Sequence, residues 1–180
     1  MPSWQKIARR IRVPLGFLFA AVYVWLAHPT WRSIILGSVI AVVGLAIRAL
    51  ASGHVRKNEQ LTTTGPYAYT RNPLYLGSLV MACGFTLASR TWILAAIAIA
   101  MLIAIYLPVI RSEEDFLRAR FPDFEDYCRN VPRLFPRLRA SQGGPGSFSA
   151  DLYWKHREYN AAIGAALIVS VLIAKALWFR

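Results

Sequence analysis

Long apolar runs alternate with polar segments along most of the 180-residue chain. Five runs have about the 20 residues that a helix needs to cross the hydrocarbon core of a bilayer. They cover residues 13–31, 33–51, 73–89, 92–110 and 161–179. The polar segments 52–72 and 111–160 are much longer than the turns that separate the other runs. The pattern predicts an all-α polytopic membrane protein, with five transmembrane helices in a single domain that spans residues 1–180.

The composition favours a membrane protein over a soluble one. Hydrophobic residues make up 56% of the chain and charged residues 17%, against about a quarter charged in ordinary soluble domains. A soluble domain of this size could not bury so much apolar surface in one core. Residues 1–12 are basic and precede an apolar run, as in a signal peptide, but no clean cleavage site follows. We therefore expect an uncleaved first helix.

The positive charges predict the orientation of the helices. The net charge is +12. With residues 1–12 in the cytoplasm, 17 of the 21 Lys and Arg residues fall on the cytoplasmic side. This asymmetry predicts an inner-membrane protein with its N-terminus in and its C-terminus out. A basic chain also raises nucleic acid as a partner, but the apolar excess favours membrane lipids, and we expect no nucleic-acid partner.

The start of the third predicted span is the first candidate site. Asn72 is a favoured N-cap residue and Pro73 a favoured first helical residue. The free N–H groups of such a helix start can bind an anion, and Arg71 and Tyr75 lie beside it. Gly77 permits a close approach of a ligand or of another helix. The alternative interpretation is a well-capped helix with an Arg and a Tyr at the membrane interface.

Two further polar segments follow the fourth predicted span. Glu113 and Glu114 come directly after it, either as the first turn of a solvated helix or as carboxylates for a ligand that carries both charges. Residues 121–127 are rich in aromatic and acidic residues, and the prolines of residues 130–137 predict a rigid extended strap. Taken alone, this last segment indicates packing. The two cysteines and three histidines are scattered, so we expect no metal site.

Together these segments resemble the isoprenylcysteine carboxyl methyltransferase family and the related phospholipid N-methyltransferases. The likeness extends from residue 63 to about residue 137, in the family's order and spacing. The family's usual His is replaced by Asn72, and residues 151–180 add an interfacial segment and a span. The matching residues are Arg71, Asn72, Pro73, Leu74, Tyr75, Leu76, Gly77, Glu113, Glu114, Leu117, Phe121, Pro122, Phe124, Tyr127, Val131, Pro132 and Arg133.

The resemblance implies S-adenosylmethionine as the cofactor, bound on the cytoplasmic side. It also implies a lipophilic methyl acceptor that enters from the bilayer, such as an isoprenylcysteine-like carboxylate, a thiol or a lipid amine. The residues expected to bind the cofactor are Tyr67, Arg71, Asn72, Pro73, Tyr75, Leu76, Gly77, Glu113 and Glu114. Those expected to take part in catalysis are Glu114, Tyr127 and Arg133.

Two other functions stay open at the level of sequence. A membrane reductase of the sterol-reductase type, which uses NADPH, resembles this family around residues 71–77. A non-catalytic membrane scaffold would also explain the replacement of His by Asn72. Small residues, among them Gly37 and Gly44 in the second span, and Gly77 and Gly84 in the third, indicate close helix packing more strongly than a tunnel for the acceptor.

Overall fold

The computed structural model describes residues 4–56, 59–141 and 146–178 of the chain. Within these ranges the protein is helical and contains no strand. The α-helices are α1 (Trp4–Leu26), α2 (Trp31–Ser52), α3 (Pro73–Ser89), α4 (Trp92–Met101), α5 (Leu107–Arg120), α6 (Phe124–Asn130), α7 (Ala150–Lys155) and α8 (Tyr159–Trp178). A 3₁₀ turn covers Gly65–Ala68, and a π-helical segment, Leu102–Tyr106, joins α4 to α5.

Among the described residues, three helical stretches are long and apolar enough to cross a membrane. They are Trp31–Ser52, Trp92–Arg120 and Tyr159–Trp178. Helix α3 is also apolar but shorter, with 17 residues. The all-α membrane architecture is thus supported, whereas the count of five spans stays a prediction.

The first predicted span, residues 13–31, differs from the structure at both ends. Helix α1 already begins at Trp4, because the Gln-, Lys- and Arg-rich segment that follows is made largely of good helix formers. Trp31, the last residue of the predicted span, instead opens α2. Thr30 and Ser33 form a reciprocal cap there: the Ser33 N–H donates to Thr30 Oγ1 (3.3 Å), and the Thr30 N–H donates to Ser33 Oγ (2.9 Å).

The fourth predicted span, residues 92–110, continues well past its predicted end. One helical stretch runs over Trp92–Arg120, because no Gly or Pro interrupts the sequence between residues 109 and 120. Glu113 and Glu114 therefore lie inside α5, and the interpretation of these acids as the first turn of a new helix is wrong.

The π-helical segment lies shortly before Pro108. Pro108 has no N–H to donate to the Ala104 carbonyl, which is the acceptor that a regular α-helix would give it. The indole Nε1 of Trp4 donates to this oxygen instead, at 2.9 Å. A side chain of α1 thus supplies the hydrogen bond that Pro108 cannot make.

The chain forms two compact units. The first comprises the described parts of Met1–Ala41, Ala82–Phe116 and Ala165–Arg180. Its buried core consists of Tyr23, Ala27, Ile34, Ala88, Leu94 and Leu172. Lys175 Nζ donates to the carbonyls of Val24 (2.7 Å) and Trp25 (2.9 Å) in this unit. The ammonium group hydrogen-bonds carbonyls that have no partner inside α1, and its positive charge interacts favourably with the negative end of the helix dipole.

The second unit comprises the described parts of Val42–Met81 and Leu117–Gly164. Its buried cluster of Phe124, Tyr127 and Val131 is covered by Leu61, Leu117, Phe121 and Cys128. The unit thus contains both the start of α3 and the Pro-rich segment that follows α6.

Glycine pairs bring helices α2 and α3 into close contact within each unit. In the first unit, a Cβ added at Gly37 would lie 2.4 Å from the Gly84 carbonyl oxygen. In the second, a Cβ added at Gly44 would lie 2.6 Å from the Gly77 carbonyl oxygen. Such distances leave no room for any side chain, so these glycines serve helix packing, as their spacing indicates.

Candidate cofactor site

The predicted start of the third span is confirmed as the start of a helix. Helix α3 begins at Pro73, and the Asn72 carbonyl accepts its first helical hydrogen bond, from the Leu76 N–H at 3.0 Å. The preceding turn depends on Gly65, whose φ of 58° is unfavourable for other residues. A Cβ on Gly65 would also meet the His54 ring at 2.4 Å.

A non-helical segment with several bends, residues 131–141, lies against this helix start, and we refer to it as the strap. Three backbone hydrogen bonds fix it. The N–H of Arg71 donates to the Pro132 carbonyl (2.9 Å), that of Arg137 to the Tyr69 carbonyl (3.1 Å) and that of Ser141 to the Ala68 carbonyl (2.9 Å). A non-helical segment after α6 is therefore present as predicted, but bends interrupt the extended form that was expected. The segment directly before α3 binds its backbone.

Side chains on both sides of Arg71 also hold the strap. The buried Thr70 hydroxyl lies 3.2 Å from the Arg133 carbonyl and 3.0 Å from the Leu134 carbonyl. Asn72 Nδ2 donates to the same Arg133 oxygen at 2.9 Å. The residue that replaces the family's usual His thus joins the strap to α3, because its side-chain amide donates to a backbone carbonyl of the strap. Sequence reasoning missed Thr70, whose only signal is its place next to Arg71.

Tyr127 and Tyr67 form a second link to the turn. The Tyr127 hydroxyl donates to the Tyr67 carbonyl at 2.7 Å, and both side chains are buried. The Tyr127 ring also packs on Phe124, with ring centroids 6.2 Å apart. This hydrogen bond positions the 3₁₀ turn, whereas the catalytic role of Tyr127 stays a prediction.

Arg71, the residue before Asn72, lies close enough to Glu125 to act on its charge. An ion pair with Arg118 lowers the pKa of Glu125, through a hydrogen bond and through charge, and Arg129 and Arg71 add smaller contributions. Arg71 is half-buried, as are Tyr75 and Leu76 of the next helical turn.

Gly77 is buried against α2 rather than open to a ligand. A Cβ added at Gly77 would lie 2.6 Å from Arg48 Cγ and 2.7 Å from the Gly44 carbonyl oxygen. Of the two roles that the sequence allowed for Gly77, the close approach of a second helix is therefore the one observed.

A buried ion pair that sequence reasoning missed lies beside Gly77. Arg48 donates from Nε and Nη2 to the two carboxylate oxygens of Glu158, at 2.6 and 3.0 Å. Its Nη1 donates to Ser78 Oγ (2.5 Å) and to the Leu74 carbonyl (3.3 Å). The pair joins helices α2 and α3 to the residue that precedes α8, which belongs to the segment that the resemblance does not cover.

The two predicted carboxylates belong to the other unit of the fold. Glu113 is exposed, and its Oε1 lies 3.8 Å from Arg12 Nη1. Glu114 is buried, with 3% of its surface exposed. Arg71, Asn72, Tyr75, Tyr127 and Arg133 lie in the second unit, so their grouping with the carboxylates into one site stays a prediction.

The other predicted residues differ in exposure. Arg133, predicted to be catalytic, has an exposed side chain and a carbonyl that anchors the strap.

In the described ranges, no group of three or more His, Cys, Asp or Glu side chains could hold a metal ion.

A family model described as phospholipid methyltransferase matches residues 15–123. The match covers more than half of the chain and includes the start of α3 and both carboxylates. The chain belongs to the phospholipid methyltransferase family. The predicted resemblance to the isoprenylcysteine and phospholipid methyltransferases is thus confirmed.

Three curated proteins are similar to parts of the chain. A nickel-cobalt-cadmium resistance protein of Alcaligenes xylosoxydans is 40% identical over 63% of this chain and 53% of its own length. A cobalt-zinc-cadmium resistance protein of Cupriavidus metallidurans is 38% identical over 60% of this chain and 50% of its own. A protein-S-isoprenylcysteine O-methyltransferase of Schizosaccharomyces pombe is 24% identical over 76% of this chain and 60% of its own length.

The chain spans about half the length of the first two relatives. The comparison with solved structures found no significant match.

Proposed function

We propose that the protein is a membrane methyltransferase that uses S-adenosylmethionine and methylates a lipophilic acceptor at the cytoplasmic membrane face. Membership of the phospholipid methyltransferase family supports the reaction class. The observation that carries the proposal is the strap bound to the start of α3. Asn72 and Thr70 hold together the two segments that the family resemblance marks in this unit.

The residues present fit the polar groups of S-adenosylmethionine. Its carboxylate needs cationic or N–H donors. Helix α3 begins with N–H groups that have no acceptor inside the helix, and Arg71 directly precedes that start. Its ammonium and ribose hydroxyls need acceptors, and Glu113 and the buried Glu114 are the proposed ones. Tyr67, Tyr75 and Leu76 complete the proposed cofactor-binding set, together with Asn72 and Pro73, whereas Gly77 packs against α2.

The cofactor supplies an already activated methyl group, so the protein's task is chiefly to position the acceptor and to exclude water. A carboxylate or thiolate acceptor attacks without a general base. An amine acceptor must first lose a proton, and Glu114, a carboxylate that the family resemblance marks, is the proposed base. Tyr127 and Arg133 are proposed to orient the acceptor.

The apolar helices give the acceptor its route. A molecule with a lipid tail reaches the site sideways from the bilayer, while its polar head meets the cofactor at the cytoplasmic interface. The proposal includes residues 1–12 on the cytoplasmic side, which the distribution of Lys and Arg supports. An isoprenylcysteine-like carboxylate, a hydrophobic thiol and a lipid amine are the proposed acceptor classes.

Transfer of a radiolabelled methyl group tests the proposal directly. The purified protein, in vesicles made from a lipid extract of its host, receives S-adenosylmethionine labelled at the methyl group. We expect label in the lipid fraction, and much less label with an Arg71→Ala variant. No label above that of protein-free vesicles would contradict the proposal.

Thermal stabilisation separates this function from the two alternatives. S-Adenosylhomocysteine at 100 times its Kd should stabilise the protein by about 2.7 kcal/mol. Stabilisation by NADPH alone would favour the reductase, and stabilisation by neither ligand would favour a scaffold.

A further inference from the structure

The strap combines a fixed backbone with exposed apolar side chains. Its backbone is held by the segment directly before α3, through the bonds of Arg71, Arg137 and Ser141 described above. Phe135 nevertheless has 80% of its surface exposed, and Leu138 has 101%. Because the backbone is fixed, these two side chains cannot fold back into a core without breaking those hydrogen bonds. Large apolar groups held in this way are typical of a surface that contacts a partner.

The charges of the strap are of one sign. Residues 127–150 contain no Asp or Glu, whereas Arg129, Arg133, Arg137 and Arg139 all lie there. Arg137 and Arg139 flank Leu138, and both are exposed. A partner that fits this surface offers anionic groups beside an apolar phase.

The depth of the strap follows from its anchor. Tyr69, Arg71 and Asn72, which bind it, directly precede the first residue of α3. Helix α3 contains no charged residue, so we expect the chain to pass from water into the membrane at its start. Segments at this level face the headgroups, where long Arg side chains can reach phosphates while apolar neighbours contact acyl chains.

We propose that the strap is an interfacial anchor: Phe135 and Leu138 insert into the leaflet, and Arg137 and Arg139 bind the headgroups of anionic phospholipids. A nucleic acid or an acidic protein would satisfy the arginines but leave both apolar side chains in water. The anionic leaflet satisfies both, and it surrounds the protein at this depth. By holding the strap against the membrane, these lipids also hold Asn72 and Thr70 in place at the start of α3.

Spin labels can measure the insertion. Single cysteines replace Phe135 and Leu138 in a Cys83→Ser, Cys128→Ser background, and each is labelled with a nitroxide. The full-length protein is placed in vesicles of phosphatidylcholine, with or without phosphatidylglycerol. Collision rates with oxygen, which concentrates in the bilayer, and with a water-soluble nickel chelate report the environment. Matched labels at Ile163, in an apolar helix, and at Asp126, in polar α6, provide the lipid and water references.

We expect labels at 135 and 138 to resemble the label at 163 in vesicles with phosphatidylglycerol. Arginine near an anionic surface contributes roughly fivefold to partitioning, so the label at 138 should move toward water when Arg137→Gln and Arg139→Gln are combined. Labels at 135 and 138 that resemble the label at 126 in both vesicle types would overturn the proposal. Insertion that is insensitive to both phosphatidylglycerol and the two substitutions would overturn the anionic-lipid partner. If the Cys128→Ser background is unstable, Cys128→Ala replaces it.

Discussion

Arg48 and Glu158 form a bidentate ion pair, although 110 residues separate them along the chain. Glu158 is 9% exposed and the Arg48 side chain 23% exposed. Because Arg48 also donates to Ser78 and Leu74, one guanidinium connects α2, α3 and the residue before α8. A pair of this kind fixes where the C-terminal helix starts, and its main energetic consequence appears when one partner is removed.

Glu158→Ala should lower the free energy of unfolding by about 3 kcal/mol, because it leaves a largely buried guanidinium without its carboxylate. Reversible denaturant unfolding in mixed micelles measures this change. Asp151→Ala, which removes an exposed acid close by in the chain, is the control and should have little effect. Equal stability of the two variants would refute the structural role of the pair.

Gly44→Ala should destabilise the protein by about 1–3 kcal/mol, because the new methyl group would push against the α3 backbone. Gly164→Ala is a matched control in another apolar helix, since a Cβ there would meet no atom within 4 Å. Its better helix propensity should instead stabilise the protein by up to about 1 kcal/mol. The same unfolding assay compares them, and a Gly44→Ala protein as stable as Gly164→Ala would be inconsistent with the close contact of α2 and α3.

Arg71→Ala should weaken the binding of S-adenosylhomocysteine by about 1.5–3 kcal/mol, because a charge-assisted contact is lost. Glu114→Gln should weaken binding in the same direction if the carboxylate meets the ammonium or the ribose. Isothermal titration measures both affinities, with Arg129→Ala as the control for an exposed arginine of the same unit. Wild-type affinity in both motif variants would remove these residues from the site.

Asn72→Ala should cost about 1–2 kcal/mol of stability, since it removes the donor to the Arg133 carbonyl and a favoured N-cap. Asn72→His can restore a donor. We expect it to change the methyl-transfer rate by less than about tenfold, or 1.4 kcal/mol of barrier. Its pH–rate profile should show no new titration near about pH 6.5, the usual histidine range. A much faster enzyme with such a titration would show that position 72 acts as a base in this family.

Thr91 and Ser147 should lie on opposite sides of the membrane, because the charge distribution places the turn before α4 outside and the segment before α7 inside. Single cysteines at these positions, in the cysteine-free background, are labelled with a membrane-impermeant maleimide in sealed vesicles. Labelling of both positions from the same side would contradict the five-span arrangement.

The sequence predicted correctly those features that depend on residues close together in the chain. Asn72 and Pro73 predicted the first residue of α3, because capping depends only on neighbouring residues. The close contact at Gly44 and Gly77 followed from small residues at helical spacing. The helix that contains the fourth predicted span continues past residue 110, because nothing in residues 109–120 breaks a helix, so the charges there do not mark its end.

Partnerships between distant residues were missed. Nothing in the sequence indicates that Arg48 and Glu158 pair, since a single charge at either position is also explained by a location at the membrane interface. In the sequence Thr70 does not differ from the other Ser and Thr residues, and its role follows only from its contact with the strap. The family resemblance located the segments that matter, but only the folded chain shows that Asn72 and Tyr127 use their polar groups on backbone carbonyls.

The hydrogen bond from Trp4 to the Ala104 carbonyl also bears on how the protein is made. During synthesis the donor leaves the ribosome 100 residues before its acceptor. This hydrogen bond therefore cannot form until the segment that contains Ala104 has been synthesised. The hydrogen bond thus joins a tryptophan that is synthesised early to a helix that is synthesised much later.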